Sequence, residues 1–174
     1  MEQSPDQQAQ PRVSAILVSL NNAAALRRSL VALEASADRQ TLEISVVDSG
    51  STDDCSRMDA EFPGIHMHRL PRNFGMVKAL NIAMRTARGE FFLFLEPGAE
   101  VAPNTTTELA ARLEAAPDAV AACPLVVNAA GEPLAGRLGA SGAEALLNYE
   151  RQHGQSRVTG ERPEAVYYIH PRAA

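Results

Sequence analysis

Short apolar runs alternate with stretches of helical periodicity along most of the chain, and this alternation constrains the fold more than any other feature. Residues 13–20 form an apolar run that is typical of a strand buried on both faces. The next stretch begins with Asn21 or Asn22 as the predicted helix cap and places three leucines on one face, Leu26, Leu30 and Leu33. Because strands separated by helices of about ten residues form βαβ units, the predicted fold class is α/β, with a mostly parallel sheet covered by helices on both faces.

The same pattern predicts the remaining elements. Further strands are expected over residues 42–47, 65–70, 91–95 and 120–127, and a weaker one over 166–170. Further helices are expected after Ser51 or Thr52 as the cap, over residues 76–88, after Pro103, and over 143–152. In the helix over 76–88, Val77, Leu80, Met84 and Ala87 are predicted to face the core.

Composition excludes several classes of protein. The 174 residues include 16 basic and 21 acidic side chains, a formal net charge of −5 that opposes binding to a nucleic-acid backbone. No apolar run approaches the roughly 20 residues of a membrane span, and the first residues lack the apolar core of a signal peptide. Cys55 and Cys123 lie in apolar stretches and are predicted to be buried thiols in a reducing compartment, so the expected location is the cytoplasm.

Polar side chains follow three of the predicted strands at the point where each strand ends. Ser19 and Asn21 follow the first strand, Asp48 the second and Glu96 the fourth. In open α/β sheets ligands bind outside the carboxyl ends of the strands, where these side chains meet. Asn and Asp are also favoured at turns and helix caps for local reasons. The coincidence at one sheet edge nevertheless predicts a binding cleft there.

The motifs that the sequence lacks exclude several classes of ligand-binding protein. The turn after the first strand has no GxGxxG, the chain has no GxxxxGK[ST], and it has no GxSxG nucleophile motif. These absences oppose a dinucleotide-binding domain, a P-loop nucleotidase and a serine hydrolase. His66 and His68 alternate on the third predicted strand, which is typical of an edge or exposed strand, and too few further ligands accompany them for a zinc site.

Four segments together carry a family resemblance. They read VSAILVSLNN, EISVVDSGSTDD, PRNFGMVKALNIAMRTARGEFFLFLEPGAEV and AACPLVVNAAGEP, in this order. The chain resembles the inverting glycosyltransferases of family 2, which have the nucleotide-diphosphosugar transferase (GT-A) fold. The resemblance covers residues 12–136 and implies transfer of a sugar from a nucleotide-diphosphosugar to an acceptor hydroxyl with inversion at the anomeric carbon.

The resemblance also implies the domain organisation. Residues 1–11 are a polar lead that is expected to be disordered, because it has too little apolar surface to pack. Residues 12–136 are the expected nucleotide-sugar-binding domain, and residues 137–174 a partial acceptor-side region. The segment VYYIHPRA is similar to one that precedes the acceptor-side motifs of rhamnosyltransferase-like members. The family's acidic catalytic-base motif lies beyond it, so the chain is expected to be truncated and no catalytic base is predicted.

Donor-nucleotide contacts are implied for eight residues: Ser19, Asn21, Asp48, Ser49, Asn73, Gly75, Lys78 and Glu96. Asp48 is a carboxylate that accepts hydrogen bonds, and in the family its position contacts the base. Asn73 and Gly75 lead into a helix whose free N–H groups, with Lys78 and the neighbouring Asn81, are expected to face phosphate. A helix cap and a solvated lysine are equally consistent with these residue types.

The resemblance further implies Mg²⁺ or Mn²⁺, held by the last acid of a DxD motif that begins at Glu96. Gly98 stands where that metal-binding carboxylate is expected, which leaves Glu96 and Glu100 as candidate ligands. Leu20 occupies a position at which the family often has an aromatic residue that stacks on the base. These departures keep an alternative open, a non-catalytic descendant that binds a nucleotide or a protein partner.

The expected partners are a nucleotide-diphosphosugar donor and a carbohydrate or lipid-linked acceptor of unknown identity. An unpaired sheet edge after the fifth predicted strand would expose backbone hydrogen-bonding groups, so self-association into a homo-oligomer is a further expectation.

Overall fold

A computed structural model describes residues 10–119, 121, 122, 124, 127, 128, 130 and 169–171 of the chain. The described residues up to Ala122, together with 169–171, belong to one compact unit, and residues 123–167 belong to a second. Every helix and strand among the described residues lies in the first unit.

Five strands form a single sheet in that unit. They are β1 (Val13–Ser19), β2 (Leu42–Asp48), β3 (Ile65–Arg69), β4 (Phe91–Phe94) and β5 (Ile169–Pro171). Their order across the sheet is β3-β2-β1-β4-β5. The first four strands run parallel, and β5 pairs antiparallel with β4. The predicted mostly parallel sheet is therefore confirmed, and β3, with its two histidines, lies at an edge as expected.

Four α-helices connect and cover the strands. They are α1 (Ala23–Glu34), α2 (Met58–Glu61), α3 (Met76–Thr86) and α4 (Thr105–Glu114). Single turns of 3-10 helix at Arg39–Thr41 and Asp54–Arg57 precede β2 and α2. The predicted segments agree with these elements to within a few residues at each end.

The core lies on both faces of β1 and β2. On one face, Ile16 and Val47 pack with Ala79 and Ala83 of α3. Residues that point to the other face, such as Leu17, are also completely buried, and so are the three leucines predicted to line α1. Every residue of β2 is buried, and so is every residue of β1 except Val18. Because alternate residues of a strand point to opposite faces, this burial means that the sheet is covered on both sides.

Val77 was predicted to face the core from α3, and this prediction is wrong, because its side chain is 73% exposed. The buried stripe of α3 consists of Ala79 and Ala83, with Leu80 and Met84 partly buried beside it. Val77 lies about 200° around the helix from Ala79 at 100° per residue, so both cannot face the sheet. The small alanines allow the helix to approach the sheet closely, which the hydrophobic pattern alone did not indicate.

The capping hydrogen bonds at the starts of α1 and of the turn before α2 are accepted by Asp53 rather than by the predicted Asn, Ser or Thr side chains. Asn22 occupies the N-cap position of α1 without a capping hydrogen bond from its side chain, and neither Ser51 nor Thr52 caps the following turn. One oxygen of Asp53 accepts the Ala23 N–H at 2.9 Å, and the other accepts the Cys55 N–H at 3.0 Å. A single carboxylate thus supplies the acceptors that two helical starts need.

Several predictions fall on residues that the structure does not describe. These are the disordered lead up to residue 9, Cys123, half of the strand over 120–127, the helix over 143–152, and residues 166–168 of the last predicted strand. Within the described residues, no helix combines the length and apolar character needed to span a bilayer.

Candidate functional site

A cleft of about 300 Å³ opens at the carboxyl edge of the sheet. It lies beside the ends of β1, β2 and β4 and the start of α3. Its walls are formed by Val18, Ser19, Leu20, Asn22, Ser49, Asn73, Gly75, Met76, Glu96 and Pro97. The walls combine apolar side chains with hydroxyl, amide and carboxylate groups, as is usual for sites that bind small molecules.

Five of the predicted site residues line this cleft, and they come from four separate parts of the chain: Ser19, Ser49, Asn73, Gly75 and Glu96. Parallel register explains part of this convergence, because Ser19 is directly paired with Asp48 and Ser49 follows it. The Ser49 N–H donates to the Ser19 carbonyl at 2.8 Å, which joins the two strand ends.

Asp48 lies immediately behind the cleft wall and is only 2% exposed. Its Oδ1 accepts the Ser51 N–H at 3.0 Å, which shapes the turn that follows β2. No described residue donates a hydrogen bond to its Oδ2. The side chain therefore holds the turn through Oδ1, and Asp48 itself is not among the residues that line the cleft.

The floor of the cleft at β1 is a hydrogen-bonded group that sequence reasoning missed. Ser19 Oγ donates to Asn22 Oδ1 and lies 3.1 Å from Cys55 Sγ, and the Asn22 N–H donates to the same sulfur at 3.4 Å. Burial raises the pKa of the Cys55 thiol, so it remains neutral and acts as a packing and hydrogen-bonding group. A lone cysteine in an apolar stretch gave no signal of this contact.

Asn21, unlike its neighbour Asn22, does not line the cleft. Its backbone has a φ of +51°, its N–H donates to Ser51 Oγ at 2.9 Å, and its Oδ1 accepts the Thr52 N–H at 2.8 Å. These bonds join the turn after β1 to the loop after β2. Asparagine is among the side chains that tolerate this backbone region, so a local cause accounts for its presence.

The loop before α3 forms the opposite wall. Asn73 Oδ1 accepts the Gly75 N–H at 2.8 Å, an Asx turn that presents both residues to the cleft. Gly50 allows this loop to approach, because a Cβ at its position would lie 2.7 Å from the Arg72 Cα and its φ is +83°. Lys78 and Asn81 are exposed and do not line the cleft.

The loop after β4 supplies one carboxylate to the cleft. Glu96 is exposed and lines it, whereas Glu100 Oε1 pairs with Arg28 Nε at 3.5 Å. Gly98, between them, has a φ of +105°, and its N–H donates to Ser29 Oγ at 2.8 Å. Glycine is therefore favoured at this position by the backbone itself. In the described part of the chain, no group of three or more His, Cys, Asp or Glu side chains is arranged to hold a metal.

Comparison with models of protein families identifies one family that matches most of the chain. The family model described as "Glycosyl transferase family 2" matches residues 14–164. No curated protein sequence matches the chain significantly.

Solved structures of two proteins are similar to the chain. S. aureus TarS 1–349 in complex with UDP matches with a TM-score of 0.56 and 26% identity, over 60% of this chain and 32% of that one. Mannosyltransferase PcManGT from Pyrobaculum calidifontis, in complex with GDP-Man and Mn²⁺, matches with a TM-score of 0.58 and 30% identity, over 71% of this chain and 38% of that one. The matched region thus spans well under half of each of these two structures.

Proposed function

The chain belongs to glycosyl transferase family 2, and from this premise we propose that its cleft binds a nucleotide-diphosphosugar. We propose further that the bound sugar is transferred with inversion to the hydroxyl of a carbohydrate or lipid-linked acceptor. In that reaction the acceptor hydroxyl loses its proton to a base and its oxygen forms a bond to the anomeric carbon. The bond from that carbon to the diphosphate oxygen breaks, so that the nucleoside diphosphate leaves.

The convergence of separate polar groups at one sheet edge carries this proposal. Ser19, Ser49 and Glu96 come from the ends of three neighbouring strands, and Asn73 and Gly75 from the loop facing them. Each residue type has a local explanation when taken alone, but five such groups around one opening of about 300 Å³ are what recognition of a polar small molecule requires. The structural relatives support the same class of ligand, since TarS was solved with UDP and with UDP-GlcNAc.

The base end of the donor is assigned to Asp48 and its neighbours. A carboxylate oxygen accepts the imide N–H of uracil or thymine, or a ribose hydroxyl. The bond from the Ser51 N–H to Oδ1 fixes the orientation of the Asp48 side chain, so that Oδ2 is presented without loss of rotamer freedom on binding. Leu20, which is 39% exposed on the cleft wall, offers the base apolar contact in place of aromatic stacking.

The ribose and diphosphate are assigned to the wall formed by Asn73, Gly75 and the start of α3. The first N–H groups of a helix lack intrahelical partners and carry a partial positive charge, which favours phosphate. Glu96 lines the opposite wall, and we assign to its carboxylate the hydrogen bond donated by a ribose hydroxyl. Ser19 and Ser49 contribute hydroxyl groups between these two walls.

Mg²⁺ or Mn²⁺ is the cofactor that the family resemblance implies, and the described residues fit such an ion poorly. Hard divalent cations are held by carboxylate oxygens together with substrate phosphates. Glu96 is the sole carboxylate side chain among the described residues that line the cleft, because Gly98 carries no ligand and Glu100 is paired with Arg28.

The proposal is tested by titration calorimetry of the whole chain with UDP, TDP and GDP. Asp48→Asn keeps the size of the side chain but changes the oxygen that faces the base into an amide, and it is expected to weaken binding of the preferred nucleotide by about tenfold or more. Asp118→Asn, at an exposed position outside the cleft, is the matched control and is expected to bind as the unsubstituted chain does.

Absence of binding to all three nucleotides, by a chain whose thermal unfolding is cooperative, would refute the proposed ligand class. Equal affinities of the Asp48→Asn and Asp118→Asn variants would show that the base lies elsewhere.

The alternative function, a non-catalytic nucleotide-binding or protein-interaction domain, is favoured by one observation. Among the described residues that line the cleft, Glu96 is the sole carboxylate, so that lining offers no second acid as a general base. Release of free sugar from UDP-GlcNAc or GDP-mannose with water as acceptor would separate the two functions, since a binding domain releases none.

A further inference from the structure

A second, smaller cavity lies between the end of α3 and strands β2 and β3. It has a volume of about 80 Å³ and is lined by Glu43, Ser45, His66, His68, Thr86, Ala87 and Arg88. None of these residues lines the cleft. Ser45 precedes Ser49 of the cleft by four residues, which is about 13 Å along an extended strand. We call this second site the amino-end cavity.

A buried hydroxyl group in the amino-end cavity lacks a partner. Ser45 is 2% exposed, and its Oγ forms no hydrogen bond with any described residue. Ser45 pairs in register with His66, so the two side chains lie on the same face of the sheet and both reach the cavity. Because nearly all buried polar groups in proteins are hydrogen-bonded, the Ser45 hydroxyl indicates a polar occupant.

The carboxylate in the cavity already has its partners. Glu43 accepts hydrogen bonds from a serine hydroxyl and from the backbone N–H and Nε of Arg88, and the charge of Arg88 balances its own. The terminal guanidinium nitrogens of Arg88 donate to no described residue. The groups left for an occupant are therefore mainly donors: the Ser45 hydroxyl, the guanidinium and the rings of His66 and His68.

A proton on His68 adds positive charge to these donors. The Thr86 hydroxyl donates to the Ala83 carbonyl at 3.0 Å, so it accepts from His68 Nε2 at 3.1 Å, and the neutral ring takes up its second proton on Nδ1. Burial and, to a lesser extent, the charge of His66 lower the pKa of His68, although Glu43 opposes this, so the ring is neutral at pH 7. His66 Nε2 lies 3.7 Å from Glu43 Oε1 and forms an ion pair with it when protonated.

Size and charge together define the occupant. The cavity is far below the roughly 300 Å³ at which pockets for drug-sized ligands begin, and well above the roughly 15 Å³ that one water molecule needs. Arg88 and the two histidines oppose a cation. We propose that the amino-end cavity binds one small oxyanion, of the size of sulfate or inorganic phosphate, with the Ser45 hydroxyl as a donor and protonated His68 as a counter-charge.

The test is calorimetric titration of the whole chain with sodium sulfate at pH 8 and at pH 6, with sodium chloride holding the ionic strength constant. Sulfate is a dianion at both values, so a change in affinity reports on the protein. We expect one sulfate to bind, at least about threefold more tightly at pH 6, because the anion and the proton on His68 favour each other. Inorganic phosphate should compete with sulfate. In an NMR titration sulfate should raise the pKa of His68.

Ser45→Ala is expected to weaken sulfate binding about tenfold, because it removes a hydrogen bond to a charged group. The thermal stability of this variant without sulfate should not fall, since the lost hydroxyl has no described partner. Ser36→Ala is the matched control, because Ser36 Oγ is also buried without a described partner but lies outside the cavity. His68→Gln can still donate to Thr86 but takes up no proton, so most of the tightening at pH 6 should be lost.

Absence of sulfate and phosphate binding at about 10 mM would show that the cavity holds water only, and would overturn the inference. Equal affinities of Ser45→Ala and Ser36→Ala for sulfate would also overturn it, since the ion would then bind elsewhere. An unchanged pKa of His68 in saturating sulfate would contradict its role as counter-charge. None of these results bears on nucleotide binding in the cleft, which the nucleotide titrations test separately.

Discussion

A glutamate lies near each end of the sheet, and the two differ in burial and in hydrogen bonding. Glu43, near the amino end of β2, is buried, and its carboxylate accepts hydrogen bonds from Ser14 Oγ, from the Arg88 N–H at 2.8 Å and from Arg88 Nε at 3.2 Å. Glu96, beyond the carboxyl end of β4, is exposed on the cleft and accepts no hydrogen bond from any described side chain.

The amino-end cavity of about 80 Å³ lies beside Glu43, and its lining includes His66, His68 and Arg88. His66 Nε2 lies 3.7 Å from Glu43 Oε1, and His68 Nε2 lies 3.1 Å from Thr86 Oγ1. Ser45 Oγ, which also lines the cavity, is buried and has no hydrogen-bond partner among the described residues. The carboxylate at the amino end thus joins β1, β2 and the α3–β4 turn, whereas Glu96 at the carboxyl end has no described side-chain partner, as the proposed donor site requires.

Glu43→Ala is expected to have the largest effect on stability. It leaves the Arg88 N–H and the Ser14 hydroxyl, both at a buried junction of β1 and the α3–β4 turn, without their acceptor. Loss of such partners costs about 3 kcal/mol in free energy of unfolding. Urea denaturation measures it, with Glu114→Ala as the control, because the exposed Arg12–Glu114 pair contributes less than about 1 kcal/mol. Similar losses of unfolding free energy in Glu43→Ala and Glu114→Ala would contradict the structural role assigned to Glu43.

Low pH is expected to destabilise the junction of β1 and the α3–β4 turn at Glu43. Burial alone raises the pKa of Glu43, but hydrogen bonds from Ser14 and Arg88 and the charge of His66 outweigh it, so the pKa is lowered overall. A carboxylate with a lowered pKa stabilises the fold fully above the usual glutamate pKa of about 4.3, and this contribution is lost as pH falls through the lower folded value. Denaturation from pH 7 to pH 3 should show the advantage of the unsubstituted chain over Glu43→Gln shrinking below about pH 4.3. A constant difference would contradict the assignment.

Asp53→Ala is expected to cost about 1 kcal/mol, since the carboxylate caps α1 and the turn before α2 together. Burial opposes its ionisation, but the N–H groups of Ala23 and Cys55 lower the pKa of Asp53 overall, which agrees with an ionised cap. Thermal unfolding measures the loss, and amide exchange at Ala23 and Cys55 should accelerate. Asp54→Ala, at the exposed neighbouring position, should leave exchange at Ala23 unchanged.

Glu96→Gln is expected to have the smallest effect on stability, within about 0.5 kcal/mol, because its side chain is exposed and makes no described hydrogen bond. Nucleotide binding should nevertheless fall by roughly fivefold, the equivalent of about one neutral hydrogen bond. Glu96→Gln is thus expected to change nucleotide binding without changing the free energy of unfolding, whereas Glu43→Gln is expected to lower that free energy. Unchanged binding would remove Glu96 from the site.

The sequence predicts the edge of the sheet at which the cleft lies. Ser19, Asp48 and Glu96 each follow an apolar run, and in a parallel sheet the ends of such runs share an edge. Asn22 and Cys55 were missed, because a choice between adjacent asparagines depends on a backbone turn, and a buried thiol carries no sequence signal of its contacts.

Local patterns along this chain determined its α/β class, the order of its elements along the sequence, and the edge at which polar groups collect. Burial periodicity and strand-end chemistry are properties of neighbouring residues, so sequence carries them. The tertiary structure decided which groups partner which others: Asp53 with the start of α1, Arg28 with Glu100, and Arg72 beside Lys78 on the ring of Phe74. The partners in the first two cases lie 30 residues or more apart, and only the packing of the loops after β1, β2 and β4 brings them within a few ångströms.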